Sequence, residues 1–175
     1  MNIKLKKIKF FTGHEGMTGL NADIWIKGVK CMHVYDSANG GCFEYTNFAR
    51  ENKNPERVKS LIKDFEDYLL TLPKREMIVG GVKKEYSVDM DMFINELVDK
   101  YVDEKNAKKM NKYMAQHILF GVPKGGSYKL IKATIPLKDI PKANLQIFVN
   151  TIKTKYCKNG VQILNTNLTE LGVNL

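Results

Sequence analysis

A chain of 175 residues with 43% hydrophobic and 27% charged side chains can bury an ordinary core without disulfide staples or a structural metal, which excludes the disordered and collagen-like classes. No run approaches the about 18 to 20 apolar residues that span a bilayer, and Met1-Asn2-Ile3-Lys4-Leu5-Lys6-Lys7 lacks the apolar block of a secretory leader, so a cytoplasmic protein with no membrane partner is expected. The formal charge of +9 is uneven, with eight basic against two acidic side chains in residues 121–175, a field that favours encounter with nucleic acid or an acidic protein.

Residues 2–12, rich in Ile, Phe and Lys, read as a strand. Ala22, Ile24 and Ile26 then alternate with polar positions, Val29, Cys31, His33 and Tyr35 do the same, and Lys27-Gly28 between them has the chemistry of a two-residue hairpin turn. The turn sets a register in which Ile26 faces Val29, Trp25 faces Lys30, Ile24 faces Cys31 and Ala22 faces His33. One face would then carry Ala22, Ile24, Ile26, Val29, Cys31 and His33 toward the core, and the other Trp25 beside Lys30, Met32 and Val34. Cys42 to Thr46 would complete a meander after the Asp36–Gly41 loop.

Pro55 after Asn54 opens a helix with Val58, Leu61, Ile62, Phe65 and Leu69 inward, closed by Pro73. Ser87, Asp89 and Asp91 open a second, with the stripe Met90, Phe93, Ile94, Leu97, Val98, Tyr101 and Val102. Its pattern drifts to Ala107, Met110, Met114 and Ile118, which predicts a bend or a junction near Asn106 and an end at Gly121 and Pro123. Gly80-Gly81 reads as a flexible bend. Residues 128–135 read as a strand, Pro141 to about Lys158 as a third helix with Leu145, Phe148, Val149, Ile152 and Tyr156 inward, and Val161 to Leu164 as a return to the sheet. The expected class is α+β: one domain, residues 1–175, with a mainly antiparallel N-terminal sheet on which three or four helices pack.

Three candidate chemistries follow from residue type and spacing. His14 and Glu15 in Gly13-His14-Glu15-Gly16, with His33 and Asp36, are the minimal acid–base groups of a small enzyme or ligand-sequestering pocket, should the Gly13–Gly16 and Asp36–Gly41 loops meet. Cys31, His33 and Cys42 have zinc-ligating side chains, but the spacing matches no common zinc site and a fourth ligand is missing. Neither metal nor cofactor is expected. Three cysteines at irregular spacing suit a reducing compartment, and Pro123-Lys124-Gly125-Gly126-Ser127 lacks the Lys-Ser/Thr pair of a phosphate loop.

The third chemistry is binding. Lys105, Lys108, Lys109 and Lys112 recur at helix spacing and would form a basic face. Phe10, Phe11, Trp25, Phe43 and Tyr45 gather in the sheet region and have the rings that single-strand binders stack on bases. Of 28 basic residues only Arg50, Arg57 and Arg75 are arginines, so forked reading of base edges is disfavoured, which leaves phosphate contact without sequence preference or a general solubility role for the lysines. The binding candidates are Trp25, Lys30, Asp36, Asn39 and the four helix lysines.

Gly13-His14-Glu15-Gly16, Leu20 through Lys30 with its glycine turn, and Asp36-Ser37-Ala38-Asn39-Gly40-Gly41-Cys42 together resemble a segment of small uncharacterised proteins of bacteriophages and mobile elements. The resemblance covers residues 13–42 and implies an accessory protein of a bacterial host cell that acts by binding, its partner a host protein, a nucleoprotein complex or a nucleic acid, with inhibition of a defence system as one outcome. A phage structural or assembly component is the remaining expectation.

Overall fold

The computed structural model describes residues 1–123 and 127–175, with the side chains of all of these except His14 and Val79. The chain is α+β and divides into two compact units, Met1–Tyr101 and Val102–Leu175. In the first, β1 (Ile3–Thr12), β2 (Thr18–Ile26), β3 (Val29–Asp36) and β4 (Glu44–Asn47) form an antiparallel meander in the order β1-β2-β3-β4. Lys27 and Gly28, at φ 46° and 81°, supply the two left-handed residues of a primed turn whose twist suits a β2–β3 hairpin.

Two bulges set the faces of this sheet. Trp25 pairs with Lys30 as the turn requires, but Ile24 then pairs with Met32, Asp23 with His33 and Ala22 with Val34. Cys31 is an extra residue, and everything beyond it is turned over. Met32 and Val34 therefore join Ala22, Ile24 and Ile26 in the core, whereas His33, expected there, points to the other face. The second bulge lies between Lys6 and Lys9 of β1, where Lys7 adopts φ 54°.

The core face is covered by α1 (Pro55–Leu70), which Asn54 caps through its side-chain oxygen and the Arg57 amide, and which buries Val58, Leu61, Phe65 and Leu69 as its periodicity predicts. Ile94 is fully buried in the same cluster, and Phe93 stands edge-on to Phe65 at 5.3 Å. Both come from α2 (Met90–Met114), which starts where the Met92 amide donates to the Asp89 carboxylate and runs unbroken past Asn106. Asp91 in its first turn accepts from the Tyr45 hydroxyl at 2.7 Å and the Phe43 amide at 3.1 Å, latching the end of the meander to the helix. Burial and that carboxylate push the Tyr45 phenol above its usual range.

Between the helices, β5 (Arg75–Val79) and β6 (Val82–Tyr86) form a ribbon that the hydropathy pattern does not reveal, because its described side chains, Arg75 apart, are exposed on both faces. Gly80 and Gly81, at φ 60° and 81°, make its tight turn rather than a loose bend. Arg75 fastens the ribbon's base through a two-point contact with Glu96 at 3.0 and 3.1 Å.

The second unit is built on β7 (His117–Gly121), flanked by β8 (Lys129–Lys132) and β9 (Gln162–Ile163). The helical reading through Ile118 fails here: the helix stops at Met114 and Ile118-Leu119-Phe120 is a central strand, buried on both sides and so without alternation. Helix α3 (Lys142–Tyr156) buries Leu145, Val149 and Ile152 against this unit's own cluster, while Tyr156, expected inward, is 39% exposed and stacks on Phe120. Lys124, Gly125 and Gly126 of the glycine-containing loop lie outside the described residues.

One buried amide organises the second unit. Asn165 accepts from the Leu119 amide at 2.6 Å and donates to the Met114 and His117 carbonyls, satisfying backbone groups that the helix-to-strand transition leaves open. Asn165→Ala would orphan the Leu119 amide and the His117 carbonyl, while the Met114 carbonyl keeps the Asn167 side-chain amide at 3.0 Å, and a loss of about 2–3 kcal/mol of unfolding free energy is expected by denaturant titration. A loss below about 0.5 kcal/mol would show that the amide is dispensable.

Candidate nucleic-acid interface

Directly opposed residues of an antiparallel pair share a face, so the register assigns the side of the meander away from the core. It carries Lys4, Lys6, Lys9 and Phe11 from β1; Asn21, Asp23 and Trp25 from β2; and Lys30, His33 and Tyr35 from β3. The aliphatic cluster and α1 occupy the opposite side. Phe11, Trp25, Tyr35 and Phe48 are half-buried here, and Lys4, Lys6 and Lys9 are exposed.

Asp23 is the centre of this face and is only 4% exposed. Its carboxylate accepts from His33 Nδ1 at 3.1 Å and meets Lys30 Nζ at 3.1 Å and Lys7 Nζ at 3.6 Å. Burial by itself would raise the Asp23 carboxyl; the hydrogen bonds from His33 and Lys30 and the charges of Lys30 and Lys7 outweigh it and hold the group below its usual value. His33 Nε2 lies 2.9 Å from the Asn21 side-chain oxygen, so the imidazole is held at both nitrogens. The two bulges bring these groups together: the one at Cys31 turns His33 onto this face, and the one at Lys7 lies beside the Asp23 position.

The aromatic rings are arranged around that centre. Phe11 and Tyr35 stack at 5.7 Å with 14° between planes. Phe11 lies over Gly19, where an added Cβ would come within 2.4 Å of the ring and 2.6 Å of the Asp36 carbonyl. Lys6 Nζ stands 3.7 Å over the centroid of Trp25 and Lys30 Nζ 3.8 Å over that of Phe48, both cation–π contacts. Ammonium groups and ring faces thus alternate across one sheet surface.

Of the residues singled out from sequence, Trp25 and Lys30 are cross-strand neighbours in this surface. The two glycine-flanked loops do meet: an added Cβ on Gly13 would sit 2.4 Å from the Ala38 Cβ, and Met17 Cε reaches within 3.8 Å of the same construction on Gly40. Asp36 spends Oδ1 on the Ala38 amide at 2.9 Å, His33 projects from the opposite face of β3, Asn39 is exposed, and Glu15 is exposed at φ 61°. The His14 side chain lies outside what is described.

Cys31 and His33, expected on one face, are separated by the bulge, and burial raises the Cys31 thiol above its usual value. Among the described residues no group of three or more His, Cys, Asp or Glu side chains is placed to hold a metal ion, and no helix is long and apolar enough to cross a membrane.

The charge is divided between the units. The first holds sixteen basic and fifteen acidic residues and the second twelve and four, a net +8. Lys105, Lys108, Lys109 and Lys112 are all exposed on the part of α2 that belongs to the second unit. Among the described residues, Lys108, Lys109 and Lys112 are in no ion pair, and Lys109 leans over Tyr113 at 5.8 Å. No protein-family model, curated protein or solved structure matches the chain.

The Asp23 cluster makes stability depend on pH. A carboxyl held below its unfolded value contributes stability that is complete above that value, near 3.8, and is lost as pH falls through the lower folded value. Asp23→Asn is therefore expected to cost about 1–3 kcal/mol at pH 7 and to flatten the loss of stability below about pH 4. Denaturation at a series of pH values tests this; identical acid limbs for the two proteins would contradict it.

Proposed function

We propose that the chain binds single-stranded nucleic acid through the open face of its N-terminal sheet, without sequence preference. The observation that carries this reading is the alternation of rings and ammonium groups on that face, Phe11 with Tyr35, and Trp25 and Phe48 under Lys6 and Lys30. Flat rings hold bases of any identity, and lysines contact phosphates wherever they fall. A duplex keeps its bases stacked on one another and offers no base face to such a surface, so single strands are the fitting form.

The second unit, at +8, supplies a long-range field that raises the encounter rate with a polyanion. The resemblance of residues 13–42 to phage and mobile-element proteins supports a reading in which this binding serves an accessory protein directed at a nucleic acid or nucleoprotein of the host, including one that serves defence.

Titration of a labelled oligothymidylate with the full chain across a salt series tests the reading. Affinity is expected to fall roughly a hundredfold between about 50 and 200 mM salt, as for about five phosphate contacts on a single strand, and to exceed that for a duplex of equal length. Binding that ignores salt, or that favours the duplex, would refute it.

A further inference from the structure

The lysines on the open face are not equivalent. Lys6 stands opposite Asp23 in the β1–β2 register, yet its ammonium lies over Trp25 at 3.7 Å. Asp23 is already occupied by Lys7, Lys30 and His33. Lys4, the β1 partner of Trp25, is exposed, and among the described residues neither Lys4 nor Lys6 is in an ion pair. Lys30 differs: it also covers a ring, that of Phe48 at 3.8 Å, but its ammonium is tied to Asp23 at 3.1 Å. One ring is thus capped by a cation that is in no ion pair among the described residues, and the other by a cation that a buried carboxylate retains.

We propose that Trp25, Lys6 and Lys4 form an exchangeable subsite for one nucleotide step, the base stacking on the indole and the two ammonium groups contacting the adjoining phosphates. The inference rests on the single-strand reading above and specifies where on the face a base enters. In the free protein Lys6 covers the ring. An incoming base displaces it, and the released ammonium moves onto a phosphate. The exchange runs in this direction because an exposed cation–π contact is worth about two- to fivefold in an equilibrium constant, whereas stacking a base on an aromatic side chain is worth about five- to 150-fold. Phe48 stays capped, since removing Lys30 would also strip a cation from buried Asp23.

Trp25 is the single tryptophan of the chain, so its emission reports this subsite directly. The experiment titrates the full chain with oligothymidylate and oligouridylate of about eight nucleotides and with inorganic polyphosphate. Binding is followed independently by anisotropy of a labelled strand or by competition with it. Both oligonucleotides are expected to quench Trp25 in parallel with binding, and polyphosphate to bind without quenching.

Lys6→Gln should keep the quench while lowering the slope of log affinity against log salt by about 0.7, one phosphate contact on a single strand. Trp25→Ala should weaken oligonucleotide binding about five- to 150-fold and leave polyphosphate affinity unchanged. Trp25→Phe, which preserves a stacking ring and the sheet, should restore most of the loss. Oligonucleotide binding without a change in Trp25 emission, or an unchanged salt slope in Lys6→Gln, would overturn the subsite while leaving single-strand binding intact. Absence of oligonucleotide binding by anisotropy would overturn both.

Discussion

The polar face of the N-terminal sheet is arranged around one buried carboxylate. Asp23 sits at mid-strand on β2, 4% exposed, where an unpartnered negative charge would be costly. The chain supplies three partners from two neighbouring strands, Lys7 from β1 and Lys30 and His33 from β3. Satisfying Asp23 has a consequence for the surface. The cations it engages are fixed in place, and those it leaves, Lys4, Lys6 and Lys9, are exposed residues outside its contacts, with the Lys6 ammonium resting on Trp25. The division between tethered and untethered lysines follows from that single acidic residue.

Much of this fold can be read from the residues. The Lys27-Gly28 turn, the strands it joins, the α1 stripe from Val58 to Leu69 and the α3 face of Leu145, Val149 and Ile152 follow from period and turn chemistry. The failures share a physical cause, since each occurs where a pattern is broken without a sequence mark. The bulge falls at Cys31, an apolar residue two positions on from Val29 and so in step with the alternation, and alternation alone therefore places His33 on the wrong face. Ile118-Leu119-Phe120 is apolar throughout, which is compatible with helix or central strand, and hydrogen bonds from Asn165, 46 to 51 residues away, help settle which it is.

The candidate site was legible only in part. Trp25 and Lys30 follow from the hairpin register, and Phe11 from its place in the first strand. Asp23, Asn21 and Phe48 do not, because their meaning depends on partners that only pairing brings near. Asp23 did carry a signal: an acidic residue at the centre of a strand flanked by Ala22 and Ile24 has to find cations once the sheet forms.

The two units carry their charge differently, which bears on the proposed encounter with a polyanion. In the first, charges nearly balance, and on the proposed reading the basic groups matter through position, whereas in the second the excess of +8 would act on a polyanion as a field. The claim that base contact belongs to the open face of the meander is tested most directly by following the aromatic side-chain resonances of the protein during titration with an oligonucleotide. Movement of the Phe11, Trp25 and Tyr35 rings, with Phe43, Tyr45 and Phe65 on the core side unmoved, is the predicted result. Shifts confined to rings of the second unit, such as Tyr113 and Tyr156, or spread equally over both faces of the meander, would contradict it.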